Sequence, residues 1–142
     1  MPTNNSLFDN TIEEAVIASV IQNPSCYIHL RDYVVADDFY WPFYKQMWIT
    51  YLSIEAKGLK LDKITIINEL NKIGLLDGLR IYSSGENILG YDAIEYFYNY
   101  EIDTENFLSY ASLLKEDRAK REINLAIEDA KNKISQGSES RA

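Results

Sequence analysis

Residues 104–134 read TENFLSYASLLKEDRAKREINLAIEDAKNKI, the longest run of the 142-residue chain that keeps helical periodicity without a Gly or Pro. Phe107, Tyr110, Ala111 and Leu114, then Ala119, Ile123, Ala126, Ile127, Ala130 and Ile134, recur at three- and four-residue steps and are expected on one helical stripe. The other faces are charged. Glu116 with Lys120, Asp117 with Arg121, and Asp129 with Lys133 stand four apart with the acid first, the order that supports an exposed helix. Asp103 or Thr104 is placed to cap the start, and Glu105 suits the positive end of the helix dipole. A helix of about thirty residues is roughly 45 Å long, more than the rest of so small a chain can cover. Part of its stripe is therefore expected to pack on a returning helix or on another copy of the chain.

The length suits a single domain with its own core. One cysteine, Cys26, cannot close a bridge within the chain and points to a reducing, cytoplasmic setting. No secretory segment follows Met1 and no apolar run approaches a membrane span, so a soluble protein with no membrane partner is expected. Twenty-two acids against fourteen bases give a net charge of -8. That charge repels phosphate polymers unless the bases cluster. From Tyr91 to Glu105 there are five acids and no Lys or Arg. Direct nucleic-acid binding is not expected.

Ahead of the long helix, residues 1–10 read as a flexible arm in which Leu7 and Phe8 are apolar. A first helix starts at a capping-box pattern, Asn10 with Glu13, shows a narrow face of Ile12, Ala15, Val16, Ser19 and Val20, and ends at Asn23 and Pro24. A short second helix runs from Ser25 to about Tyr33. Asp37 or Asp38 caps a third, which carries Tyr44, Met47, Trp48, Tyr51, Leu52 and Ile54 and stops at Gly58. Asp62 caps a fourth with Ile64, Ile67, Leu70 and Ile73 on its face, closed by Gly74. Residues 75–90 read as an irregular connection, and Tyr91 to Tyr100 as a short aromatic helix. With no convincing strand the class is all-α: a helical head over 11–103, a long helix over 104–135, and a flexible tail or start of a linker over 136–142.

Chemistry is sparse. Gly85 and Gly90 have the spacing of a phosphate-binding loop, but Tyr91 and Asp92 follow where Lys and Ser or Thr are needed. Cys26 and His29 are three apart on a helix, yet a metal site needs three or four ligands and no second Cys or His exists. That same scarcity argues against a nucleophile–base–orienter triad. The acid pairs Glu13 with Glu14 and Asp37 with Asp38 sit at helix starts, where acids cap. No catalytic, cofactor-binding or metal-binding residue is assigned, and a small metal-dependent hydrolase built on His29, Asp37 and Asp38 is the weakest reading. The aromatics between Tyr91 and Tyr100 ring their helix too fully for one buried face, which makes Tyr96 and Tyr98 candidates for a protein contact, with a larger core as the alternative. On the long helix Leu114, Ile123, Ile127 and Ile134 are the candidate self-association positions, flanked by Arg118 and Arg121.

Several short signatures, in order, resemble the N-terminal domain of DnaB-type replicative DNA helicases. Ile12 to Ala18 with Asn23 and Pro24 is similar to that family's opening helix, with Ala18 where Gly is usual. Asp38, Phe39 and Tyr40 followed by Pro42 is the most specific match, with Tyr44 and Lys45 in place of the usual His and Arg. Leu61, Asp62 and Thr65, then Leu70 and Gly74 to Leu76, resemble the next block. Glu105, Asn106, Tyr110, Ala111, Lys115, Glu116 and Arg121 resemble the long-helix signature. The usual Gly-Gly turn is replaced by the longer segment from Arg80 to Gly90. The resemblance implies a helical head followed by a helical hairpin. It also implies self-association, as a dimer or hexamer, into a collar above a motor ring, and binding of primase or a helicase loader. The family's ATPase motor lies outside such a domain. A fragment of a longer helicase and a free-standing phage or plasmid adaptor that captures host replication proteins are both compatible with it.

Overall fold

The computed structural model describes residues 11–77, 80–83 and 86–140. The arm at 1–10, with its capping residue Asn10, lies outside them. The fold is built around α1 (Thr11–Gln22), whose side chains from Glu13 to Ile21 are buried without interruption. In place of a narrow face, the helix is covered all round by three later helices, Pro42–Ala56, Gly90–Tyr98 and Phe107–Ser140. Ala15, Ala18 and Ser19 allow the neighbours to come close. Ser19 turns its hydroxyl back to the Ala15 carbonyl at 2.7 Å, so nothing polar is stranded there.

A 3-10 turn (Pro24–Cys26) runs into the single turn of α2 (Tyr27–Leu30), and another (Ala36–Asp38) precedes α3 (Pro42–Ala56). Tyr44, Met47, Trp48, Tyr51 and Ile54 carry α3 into the core, as its periodicity predicts. Tyr51 donates its hydroxyl hydrogen to the Ile17 carbonyl at 3.1 Å, tying α3 to α1. Burial pushes that phenol far above its ordinary pKa. Neither Asp37 nor Asp38 caps α3. Trp41 is its N-cap residue and makes no side-chain cap bond. Glu13 of α1 fixes the approach to α3, accepting from the Tyr40 and Trp41 amides just ahead of it at 2.9 and 3.1 Å. Burial raises the Glu13 pKa against the pull of those two amides.

α3 and α4 (Lys63–Lys72) stop where the sequence places their stops, at Gly58 and Gly74, with φ of 72° and 73°. Glycine takes this left-handed conformation without a Cβ penalty. Beyond each, an amide reaches back five residues, Leu59 to Ile54 at 3.1 Å and Leu75 to Leu70 at 2.9 Å, which closes the helix end. Asp62 caps α4 by accepting from the Thr65 amide at 2.7 Å.

The buried face of α4 is Ile66, Glu69 and Leu70, whereas Ile64 and Ile73 are exposed. Glu69 explains the rotation. Its carboxylate accepts from Lys57 at 2.6 and 2.9 Å and from Ser53 at 2.9 Å, so the helix turns its acid toward α3. Those donors, Lys57 first, hold the Glu69 pKa below the usual 4.5. A depressed acid contributes stability above its unfolded pKa and loses it as pH falls through the folded one. Urea midpoints of wild type and Glu69→Gln should therefore differ at pH 7 and draw together only as pH falls below the ordinary carboxylate range.

Within 75–90, which the sequence reads as an irregular connection, two short strands form. β1 (Arg80–Ser83) pairs antiparallel with β2 (Glu86–Leu89), Arg80 opposite Leu89 and Ser83 opposite Glu86. A pair of four-residue strands leaves the class all-α. In α5 (Gly90–Tyr98), Ala93, Ile94 and Phe97 are buried. Lys63 and Glu95 form an ion pair between α4 and α5, and the Gln22 amide donates to the Phe97 and Tyr100 carbonyls at 2.9 and 2.7 Å.

A 3-10 turn (Thr104–Asn106), capped by Asp103 through the Glu105 amide at 3.0 Å, opens α6 (Phe107–Ser140). Its 34 residues span about 51 Å. The helix passes through 136–140, which the sequence reading assigned to a flexible tail. Gly137 costs a helix only about 1 kcal/mol and no proline stops it.

Candidate assembly surface on the long helix

The first half of α6 docks on α1. Ala111 and Leu114 are buried there, with Phe107 and Tyr110 half-buried beside them. From Glu122 to Gly137 every side chain is exposed, so the helix leaves the head as a free rod. Ile123, Ile127 and Ile134 are 59, 48 and 70% exposed.

These isoleucines do not continue the docked stripe. Nine residues from Leu114 to Ile123 make two and a half turns at about 100° per residue, so the two apolar sets face opposite directions. The periodicity breaks at the five-residue step from Leu114 to Ala119. One stripe is thus two half-length stripes, the first turned to the head and the second away from it. Leu114, expected at a contact between copies, is instead wholly inside the head's core.

Arg118 and Arg121 lie at the point of departure and fasten it. Arg118 donates to Asp38 Oδ1 at 2.9 Å and to Glu122 at 3.0 Å. Both acids raise the Arg118 pKa, Asp38 most. Lys115 meets Asp38 Oδ2 at 2.8 Å, and Arg121 donates to the Asp38 carbonyl at 2.9 Å while its guanidinium covers the Tyr40 ring. Asp38 is fully buried and also accepts from the Val35 amide at 2.8 Å. One carboxylate thus closes its own turn and receives two cations of the rod. A buried charge is tolerated only when compensated in this way. The acid pair read as capping residues contains this latch, and its partners lie some eighty positions away, beyond the reach of local periodicity.

Tyr96 and Tyr98 are half-buried against the core. Tyr96 packs edge-on against Phe97 and Tyr100, while Lys63 covers the Tyr98 ring. Burial, with the nearby Asp62 charge, pushes the Tyr98 phenol up to about 12. Phe97 stacks on Phe43 at 5.8 Å. The aromatic excess of α5 therefore enlarges the core, with Tyr91 left exposed.

Burial pushes the Cys26 thiol up to about 11, which makes it a poor nucleophile. His29 stacks on Phe107. Among the described residues no cluster of three or more His, Cys, Asp or Glu side chains is placed to hold a metal ion, and no helix is long and apolar enough to cross a membrane.

The fold is similar to the crystal structure of the N-terminal domain of DnaB helicase from Mycobacterium tuberculosis, with a TM-score of 0.78 and 21% identity over 92% of this chain and 87% of that one. No curated protein matches the chain in sequence. The DnaB-like helicase N terminal domain family matches residues 5–116, which takes in the head and the docked start of α6. On that match the chain belongs to the DnaB-like helicase N-terminal domain family.

Proposed function

We propose that this chain is a non-catalytic assembly and docking domain of a replicative DNA helicase, which holds copies of itself in a collar and receives a primase or a helicase loader. The observation that carries the reading is the outward stripe of Ile123, Ile127 and Ile134, on the side of α6 opposite its own head. A copy of the same chain offers an equivalent stripe, so the natural partner is a second rod. The surrounding charge supports protein rather than nucleic acid as the ligand, with acids outnumbering bases by eight.

Magnitudes set the strength of the contact. Two paired rods bring together six isoleucines, three from each; at about 2 kcal/mol for a full burial, and with roughly half of each side chain still exposed to begin with, they yield about 6–7 kcal/mol, within the lower part of the roughly 4–15 kcal/mol that association costs. Two rods alone therefore pair weakly and in proportion to concentration. A lasting collar needs further surface, from a returning helix or from a third copy. Sedimentation should show reversible self-association that Ile127→Asp weakens at least about tenfold, since an aspartate on that ridge is buried unpaired. Circular dichroism should be unchanged, because Ile127 touches no part of the head. A monomer at the highest accessible concentration would remove the stripe's role.

A further inference from the structure

Along the rod, Ile123, Ile127, Ala130, Ile134 and Gly137 follow one another at steps of four, three, four and three residues, and all are exposed. Steps that average about 3.5 residues keep them in one seam along which a second helix can lie. The same steps carried back toward the head reach Lys120 and Glu116, both exposed. The seam is therefore uneven. Large side chains alternate with small ones, and its end beside the head is charged.

We propose that this seam pairs with that of a second copy running antiparallel, Ile123 of each chain meeting Ile134 of the other and Ile127 meeting Ala130. This pairing rests on the self-association proposed above, to which it adds an orientation and a register. On antiparallel helices the facing numbers rise on one as they fall on the other, so both contacts share a two-fold axis between Glu128 and Asp129. A parallel pair in register sets each residue against itself. Ile127 then meets Ile127 while Ala130 meets Ala130, so large layers hold the rods apart and small layers leave voids. It also opposes Lys120 to Lys120 and Glu116 to Glu116, and brings two heads to the same end on chains of net charge -8. The antiparallel pair removes these faults: every Ala130 receives an isoleucine, each Lys120 lies over a Gly137, the heads part to opposite ends and the helix dipoles oppose. A shift of one heptad toward the heads sets Ile134 against Glu116, and the opposite shift carries Ile123 past Gly137. Of the three registers, this one gives every isoleucine an apolar partner.

Two variants of the full chain test this, Ile123→Cys and Ile134→Cys, because the buried Cys26 thiol stays out of exchange near neutral pH. Both positions are exposed, and circular dichroism should show both variants folded as wild type. Equilibrated together in glutathione buffer, at a concentration where wild type associates, they should form the mixed disulfide at least about tenfold over either homodimer. In the antiparallel pair the introduced thiols of like-numbered positions lie roughly 16 Å apart, far beyond disulfide reach. Homodimeric disulfides in each variant alone would mean parallel rods and overturn the orientation, with self-association left standing. Association without any disulfide would overturn the register. A wild-type chain that stays monomeric in sedimentation would remove the ridge's role and this pairing with it.

Discussion

Asp38→Ala should lower the unfolding free energy by about 3 kcal/mol, the order expected when a buried, multiply bonded charge is taken from its partners. The alanine removes the acceptor of Lys115, Arg118 and the Val35 amide at once. Asp38→Asn keeps an acceptor for the Val35 amide without the charge, and should lose roughly half as much. Urea unfolding with a constant m-value reads both. Hydrogen exchange separates the latch from the rest of the core: amides around Arg118 to Glu122 should lose protection in either variant before those of α1 do. A loss under about 1 kcal/mol for the alanine would mean that the Ala111 and Leu114 contact, with the Arg121 bond to the Asp38 carbonyl, holds the rod without the carboxylate.

Trp48→Ala should be of similar size or larger, about 4 kcal/mol, because a large ring leaves a cavity that its neighbours cannot refill. Trp48 is fully buried among Tyr27, Phe39 and Tyr51 at centroid distances of 5.3, 5.6 and 5.7 Å. Its indole N–H donates to the Val34 carbonyl at 3.1 Å, one residue before the Val35 amide that Asp38 holds. The loop that bears the latch is thus pinned from both sides. Trp48→Phe deletes the hydrogen bond while keeping most of the ring and should cost about 1–2 kcal/mol. If the rod depends on that loop, both Trp48 variants should also loosen the amides near Arg118.

What the sequence discloses and what it hides follows from distance along the chain. The ends of α3 and α4 are written in Gly58, Gly74 and Asp62, whose effects act within one turn. Trp48 and Tyr51 fall at core spacing for the same local reason. The Asp38 to Arg118 bond joins distant segments and leaves no periodic trace, though Asp38 stands in the signature that carries the family resemblance. Glu13 looks like an ordinary first-turn acid and in fact holds the two residues that lead into another helix. On α5, tyrosines on several faces cannot be divided between core and surface until the elements on either side are known. Ile64 illustrates the opposite error, an apolar residue at a plausible spacing that a buried Glu69 turns outward.

The half-turn offset between Leu114 and Ile123 makes the azimuth of the rod's ridge a matter of residue count. Two residues deleted between these positions would swing the isoleucines by about 200° and bring them round to the side of their own head, with every side chain of both surfaces intact. Four residues inserted would turn them by only about 40° while carrying them some 6 Å outward. Relatives that differ in length within this short segment would then present the ridge at different angles on the same chemistry, so spacing rather than composition would set the geometry of any contact made through it.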